Sequence, residues 1–369
     1  MRAPPQVLIV GAGPTGLAAA LFLTRRGVSV RIIDIAPEPS RTSKALGVNP
    51  RTLKLLEDTG VTARIEAEAQ GVRALHIHRR GRSLAELTID WDALGVDHRM
   101  VILPQARTEA LLTGALADLG VTPERGLGLA SLDQTSDAVT ATLTDGSVVE
   151  TPVLFAADGA HSVARKALKL DFPGDAWSEP WQLMDVDLTG PPADEGWIDL
   201  RPTGPFVCLP FSGRTFRLIG PGPPLLEHLP AGWTAGTVHW ASDFHISHRI
   251  VEKLTEGRVC LAGDAAHIHS PIGARGMNLG VEDAWVFAAC AADFLGGETG
   301  RLEDYSRLRH EIDADVVRRV RALTAAVRDT SSRADLVRRV AIPVLARLPF
   351  VINRVVRIGM GLDHPVRVR

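Results

Sequence analysis

The stretch VLIVGAGPTGLAAALFL, residues 7–23, decides the fold. Its first four residues are apolar and mostly β-branched, as in a strand buried on both faces, and Gly11, Gly13 and Gly16 follow where a strand turns into a helix. Gly11 permits the tight turn, Gly13 lets a pyrophosphate approach the backbone, and Gly16 lets the helix pack on the strand. Pro14 and Thr15 open a helix over residues 14–26, whose free N–H groups face the phosphates. A second strand over residues 28–34 ends in Asp34, where a carboxylate accepts hydrogen bonds from ribose hydroxyls. Strand, glycine turn, helix, strand and acid, in this order, define a dinucleotide-binding βαβ unit. The glycines also make the apolar run core rather than a signal peptide or membrane span, and no other segment offers about 20 uninterrupted apolar residues.

Working outward, 369 residues with 45% hydrophobic and 23% charged side chains suit a globular protein of two joined units. Lys plus Arg at 41 against Asp plus Glu at 43 leaves a net charge of −2, which excludes the basic excess of a nucleic-acid binder. Cys208, Cys260 and Cys290 form no CxxC pair, so neither a disulfide framework nor a thiolate metal site is expected, and a reducing cytoplasm fits. His267 and His269 lack a third ligand in the sequence, so hydrogen bonds within their loop are expected rather than a metal.

Residues 72–102 read as short antiparallel strands, and 105–120 as a helix with Ala110, Leu111, Ala115 and Leu119 on one face. Thr144-Asp145-Gly146 marks a hairpin turn, and residues 153–157 form a buried strand ending in Asp158-Gly159. A Gly/Pro/Trp-rich stretch from about 175 to 246 reads as an inserted β-sheet layer. Residues 259–262 return to a buried strand, and 276–295 to a long apolar helix. Asp264, just past that strand, suits a ribityl hydroxyl. The expected architecture is α/β, a Rossmann-like dinucleotide-binding domain (1–71, 104–174 and 250–300) with an inserted β-sheet substrate domain (72–103 and 175–249) and a C-terminal helical tail (301–369).

GAGPTGL at 11–17, AADGAHSVARKAL at 156–168 and AGDAAHIHSPIGARGMNLGVEDA at 262–284, with KALGVNPRTLKLLEDTG at 44–60 and the Gln105 region, resemble the class A FAD-dependent aromatic hydroxylases of the p-hydroxybenzoate, phenol and polyketide hydroxylase type. The resemblance covers roughly the first 300 residues. It implies FAD as cofactor, with NAD(P)H as co-substrate, and hydroxylation of a small aromatic or polyketide-like substrate by O2 through a flavin C4a-hydroperoxide. It places the FAD pyrophosphate at Gly11, Gly13, Pro14, Thr15 and Gly16, the adenosine ribose at Asp34, and the ribityl chain at Asp264. Gln105 falls on the flavin side of the cofactor, Leu129 near the adenine, and Gly276, Met277 and Asn278 under the pyrimidine edge, where the helix dipole stabilises an anionic reduced ring. Asp158 belongs to a motif associated with both FAD and NAD(P)H, and Arg165 follows it. At Lys44 the family commonly carries arginine, and a point charge replaces a planar fork there; Arg41 or Arg107 could share that role.

The only tyrosine is Tyr305, outside the inserted sheet. A catalytic base would have to come from His76, His78, His239 or His245, and no side chain is assigned a catalytic role. Epoxidation, Baeyer–Villiger insertion, oxidative decarboxylation and a redox-silent FAD protein of the same fold stay open. Trp177, Trp181, Trp197, Trp233 and Trp240 line a pocket or pack a core. The arginine-rich tail is expected to pack on the cofactor domain, with a membrane surface as the alternative.

Overall fold

A computed structural model describes residues 4–40, 45–222, 224–271, 274–329 and 331–369. Val7–Val10 is buried along its whole length and forms the middle of a six-stranded sheet. Val153–Ala156 pairs with it on one side and Val30–Asp34 on the other, both parallel, in register Val10↔Ala156 and Val10↔Ile33. Val259–Leu261 extends the sheet, parallel to Val153–Ala156. Helix Pro14–Thr24 leaves the glycine turn and buries every residue from Gly16 to Leu23. It packs between helices Gln105–Asp118 and Gly276–Leu295.

Gln105–Asp118 buries Thr108, Leu111, Leu112, Ala115 and Leu116. The apolar face expected through Ala110 and Leu119 is therefore off in phase: Leu119 is exposed, and the i, i+3, i+4, i+7 series runs from Thr108. The hairpin expected at Asp145 joins Val139–Leu143 to Val148–Thr151, with the Asp145 carboxylate accepting from the Ser147 amide.

An eight-stranded sheet stands beside this core, in the order His267–Ile268, Thr234–Ile250, Gly174–Thr189, Thr215–Pro221, Gly204–Ser212, Glu195–Arg201, Ala74–Arg79 and Arg82–Thr88. Only Glu195–Arg201 and Ala74–Arg79 are parallel neighbours. The edge strand His267–Ile268 comes from the 250–300 segment, so the loop that carries Asp264 ends hydrogen-bonded to the sheet. One sheet face packs Val186, Trp197, Phe206, Cys208, Phe216 and Leu218 into a second core beneath Leu225. Pleat alternation turns Leu209, Arg217, Asp185 and Trp240 to the other face, in one row across four strands.

Helix Arg301–Arg328 packs on Gly276–Leu295, and Val366 returns to the main core. Beyond helix Arg301–Arg328 the tail leaves the cofactor domain: helix Ser332–Leu345 lies on strand Arg82–Thr88 of the second sheet and Pro349–Gly359 on the short helix Trp91–Leu94. Helices Ser332–Leu345 and Pro349–Gly359 bury no side chain fully, because their apolar residues spread beyond the face turned to the protein.

Candidate active site

Three loops meet where three neighbouring parallel strands end, the usual place for a ligand on an open α/β sheet. They are the turn after Val10, the Asp158-Gly159 loop after Ala156, and the turn after Leu261. Gly11 holds φ at +104°, and a Cβ there would lie 2.2 Å from the Ala157 carbonyl oxygen. A Cβ on Gly16 would lie 1.9 Å from the Gly11 oxygen. At Gly13 no atom comes within 4 Å of the Cβ position, which leaves the head of helix Pro14–Thr24 open to a phosphate. Thr15 faces the other way: its hydroxyl sits 2.1 Å from a Cβ position on Gly280 and 2.7 Å from one on Gly263, so it locks the first and third loops together.

Asp34 accepts from the Ala12 amide at 2.6 Å and the Ala36 amide at 2.8 Å. It stiffens the glycine turn, and each oxygen keeps a lone pair for a ribose hydroxyl. Asp158 splits its two oxygens. Oδ2 accepts from the amides of Val163 at 2.7 Å and Ala164 at 3.2 Å, capping the short helix that follows. Oδ1 is buried without a hydrogen-bond partner among the described residues, beside Gly159 at φ +78°. Arg165 donates to the Ala265 carbonyl at 2.7 Å and the Ala160 carbonyl at 2.8 Å, tying the second loop to the third. In that third loop Asp264 alone is exposed between Leu261 and His267.

Asn278 is wholly buried, and its side chain is spent on the protein. It accepts from the Asn49 amide and the Thr52 hydroxyl and donates to the carbonyls of Gly47 and Ala274. Only backbone at 276–278 is left to meet a ligand, since Met277 packs into the core. Gln105 bonds Glu109 at 2.9 Å and the Ala45 amide at 3.2 Å. Leu129 is core, on a strand paired with Val139–Leu143. Lys44 and Arg41 lie outside the described residues. Arg107 does not take over for them: it pairs with Glu68 at the surface.

Behind the third loop lies a buried ionic cluster that spacing did not reveal. Asp283 accepts from the Gly263 amide at 3.2 Å and faces His267 Nε2 at 2.7 Å, so it holds both ends of the turn carrying Asp264. Arg309 donates to Asp283 at 2.8 Å, Asp313 at 2.7 Å and Glu282 at 3.2 Å. His267, Asp283 and Asp313 bring ligand atoms within 4.8 Å of one another, but the guanidinium already bonds both carboxylates, so Arg309 serves as the cluster's cation. Tyr305 donates to the Leu261 carbonyl at 2.8 Å and is structural. The signal in the sequence was Glu282-Asp283 inside an apolar helix, which demands a buried cation.

Burial lowers the His267 pKa, but Asp283 and Asp313 outweigh it and hold the ring at about 9 against an ordinary 6.5. Burial raises Asp313, with Arg309 opposing. Both groups prefer their protons in the folded chain, so their stabilisation is full at low pH and is lost as pH rises through the folded value. For His267 that loss runs from about pH 6.5 to about 9, and the melting temperature is expected to fall across this range. His267→Gln should flatten that fall, and an unchanged slope would contradict the charge assignment.

On the sheet, Arg217 forms a buried two-pronged pair with Asp185, both bonds 2.7 Å, flanked by the rings of Phe211 and Trp240. The adjoining row, Leu183, Ile219, Val207, Ile198 and Ile77, is apolar throughout. Trp197 and Trp233 meet edge to face on the second core and do not line this face, whereas Trp181, buried, shares the face of Leu183 and Asp185 and tilts against Phe244. His76 stacks on Trp197 and bonds Glu195 at 2.6 Å, His239 bonds Asp187 at 2.8 Å, and His245 is exposed. His248, passed over in the sequence, is buried with neither ring nitrogen hydrogen-bonded among the described residues; burial lowers its pKa. Its alternation with Ile246 was the available signal. All three cysteines are buried, and burial pushes the Cys260 thiol up to about 12.

Fold and site define a dinucleotide-binding α/β protein with an antiparallel sheet set beside the nucleotide fold. Residues 5–217 and 226–320 match the FAD binding domain family, and the chain belongs to that family, with FAD as its cofactor. It is 34% identical over 366 residues to 6-methylpretetramide 4-monooxygenase of Streptomyces rimosus, covering 92% of this chain and 64% of that one. It is 33% identical over 342 residues to rifampicin monooxygenase of Streptomyces venezuelae, covering 86% and 70%. The chain thus spans about two thirds of the length of these relatives. The crystal structure of p-nitrophenol 4-monooxygenase from Pseudomonas putida shares the fold, with a TM-score of 0.89, 22% identity and coverage of 96% and 97%.

Proposed function

We propose that the protein is an NAD(P)H- and O2-dependent FAD monooxygenase that hydroxylates a small aromatic or polyketide-like molecule. The observation that carries this reading is the convergence of the three loops at one sheet end, with Gly13 open, Asp158 Oδ1 unpartnered and Asp264 exposed. Those features suit a ligand with a pyrophosphate and a polyhydroxylated chain. The activities carried by the names of the two monooxygenase relatives support the substrate class.

In this reading Gly11, Gly13, Pro14, Thr15 and Gly16 form the pyrophosphate turn, Asp34 holds the adenosine ribose and Asp264 the ribityl hydroxyls. Leu129, Gln105, Lys44, Asp158 and the backbone at 276–278 complete the FAD site. FAD, when bound, supplies the hydride acceptance and oxygen chemistry. The chain binds, orients and excludes water. The apolar row from Leu183 to Ile77 walls a dry substrate site, and the Asp185–Arg217 pair in the adjoining row stiffens it. The three buried thiols fit a reducing, cytoplasmic setting, and no described helix is long and apolar enough to cross a membrane.

Replacing His76, His78, His239 or His245 singly by Gln is expected to leave flavin reduction by NAD(P)H intact; loss of reduction would show that these rings serve the cofactor. The activity itself is tested by turnover under labelled O2 with mass analysis of the product. One labelled oxygen atom in the product supports monooxygenation, and NAD(P)H consumption yielding only peroxide contradicts it.

A further inference from the structure

Residues 331–359 combine two features that the cofactor and substrate sites leave unused. Leu336, Val337, Val340 and Val344 are each more than half exposed and form one stripe along helix Ser332–Leu345, at the i, i+1, i+4, i+8 positions of a single face. Phe350 and Val355 are 70% and 63% exposed on helix Pro349–Gly359, which follows after a short turn. Around these apolar side chains the segment carries six arginines and a single acid, Asp335, in a chain whose net charge is −2.

The charges divide by direction. Asp335 pairs inward with Arg79 of the sheet, Arg338 donates to the backbone carbonyls of Ala326 and Asp329, and Arg357 to that of Leu94. These contacts seat the two helices on the protein. Arg333, Arg339, Arg347 and Arg354 are exposed and have no carboxylate partner among the described residues.

We propose that this helix pair docks on an anionic phospholipid surface. An interfacial helix needs an apolar face to enter the acyl boundary and arginines to meet lipid phosphates, and both are present on this helix pair. A second copy of the chain suits the surface less, because it would bring four unpaired arginines against four others. A nucleic acid would meet the charge but leave the apolar stripe in water. Helix Ser332–Leu345 lies on Arg82–Thr88, the edge strand of the eight-stranded sheet, so a docked protein would hold that edge at the bilayer. The inference does not depend on the proposed activity.

The test is co-sedimentation of the FAD-loaded protein with vesicles of phosphatidylcholine alone and of phosphatidylcholine with phosphatidylglycerol. Binding is expected only to the anionic vesicles and to be lost at about 0.5 M salt. The double variant Arg347→Glu/Arg354→Glu and the single variant Val340→Asp should each weaken it by about tenfold or more. All three positions are exposed, so unchanged flavin absorbance and melting temperature will confirm that the variants fold. No binding to anionic vesicles, or equal binding by wild type and both variants, overturns the proposal. So does a concentration-dependent dimer in lipid-free sedimentation that Val340→Asp abolishes, which would assign the face to a second copy. Binding to duplex DNA with no binding to vesicles overturns it as well.

Discussion

Arg309→Met is expected to cost about 3–5 kcal/mol of stability and to strip the protein of FAD. The substitution leaves Asp283, Asp313 and Glu282 buried around a side chain that offers no proton. Removing one partner of a buried ion pair strands the other, and Arg309 is the one cation that bonds all three acids; His267 still faces Asp283 and Asp313, and His364 and Arg275 still face Glu282. The effect should reach the cofactor, because Asp283 fixes the Gly263 amide and His267 at either end of the turn that presents Asp264. Arg309→Lys keeps the charge but loses the planar fork that reaches several carboxylates at once, so it should recover part of the stability and less of the FAD affinity. Urea unfolding of the FAD-free protein, set beside fluorescence titration with FAD, separates the two losses. Wild-type stability in Arg309→Met would mean that the acids hold their protons and need no cation.

The second large effect is expected at the glycine turn. Gly11→Ala places a Cβ 2.2 Å from a backbone oxygen at φ +104°, where neither a rotamer change nor a flexible neighbour relieves the clash. The two ends of Val7–Val10 and Val153–Ala156 would have to separate, at more than about 2 kcal/mol and with loss of the turn that receives phosphate. A colourless protein of reduced melting temperature is the expected product. Gly13→Ala, by contrast, meets open space. Its FAD-free form should melt within about 1 kcal/mol of wild type while its FAD affinity falls, because the added methyl occupies the phosphate approach. Equal effects at both positions would remove the distinction between a packing glycine and a ligand glycine.

Local patterns carried most of the fold. Val7–Val10, the glycine turn and Asp34 depend on neighbours within one βαβ unit, so spacing alone placed them, and the three glycine-acid loops announced their motifs in the same way. Long-range packing decided the rest. Asn278 looked like a ligand-facing residue, but its partners Gly47, Asn49 and Thr52 come from a segment more than two hundred residues away, and with the Ala274 carbonyl they use its whole amide. Arg107 was a candidate to share the cofactor contact of Lys44 until Glu68, on the neighbouring helix, claimed it. The Arg309 cluster depends on two helices crossing, and only the pair Glu282-Asp283 in an apolar helix hinted at it. The face of helix Gln105–Asp118 turned on one residue of phase, which helix Pro14–Thr24 sets by packing against it.

The proposal that the site is a flavin monooxygenase centre is tested most directly by anaerobic mixing. Purified yellow protein would be mixed with NADH or NADPH, with and without a panel of phenols and polyketide aromatics, while flavin absorbance is followed. Bleaching by one nicotinamide cofactor, accelerated by one class of aromatic compound, is the predicted result. Bound FAD that stays oxidised with every combination would contradict it and leave a cofactor held for a non-oxidative task.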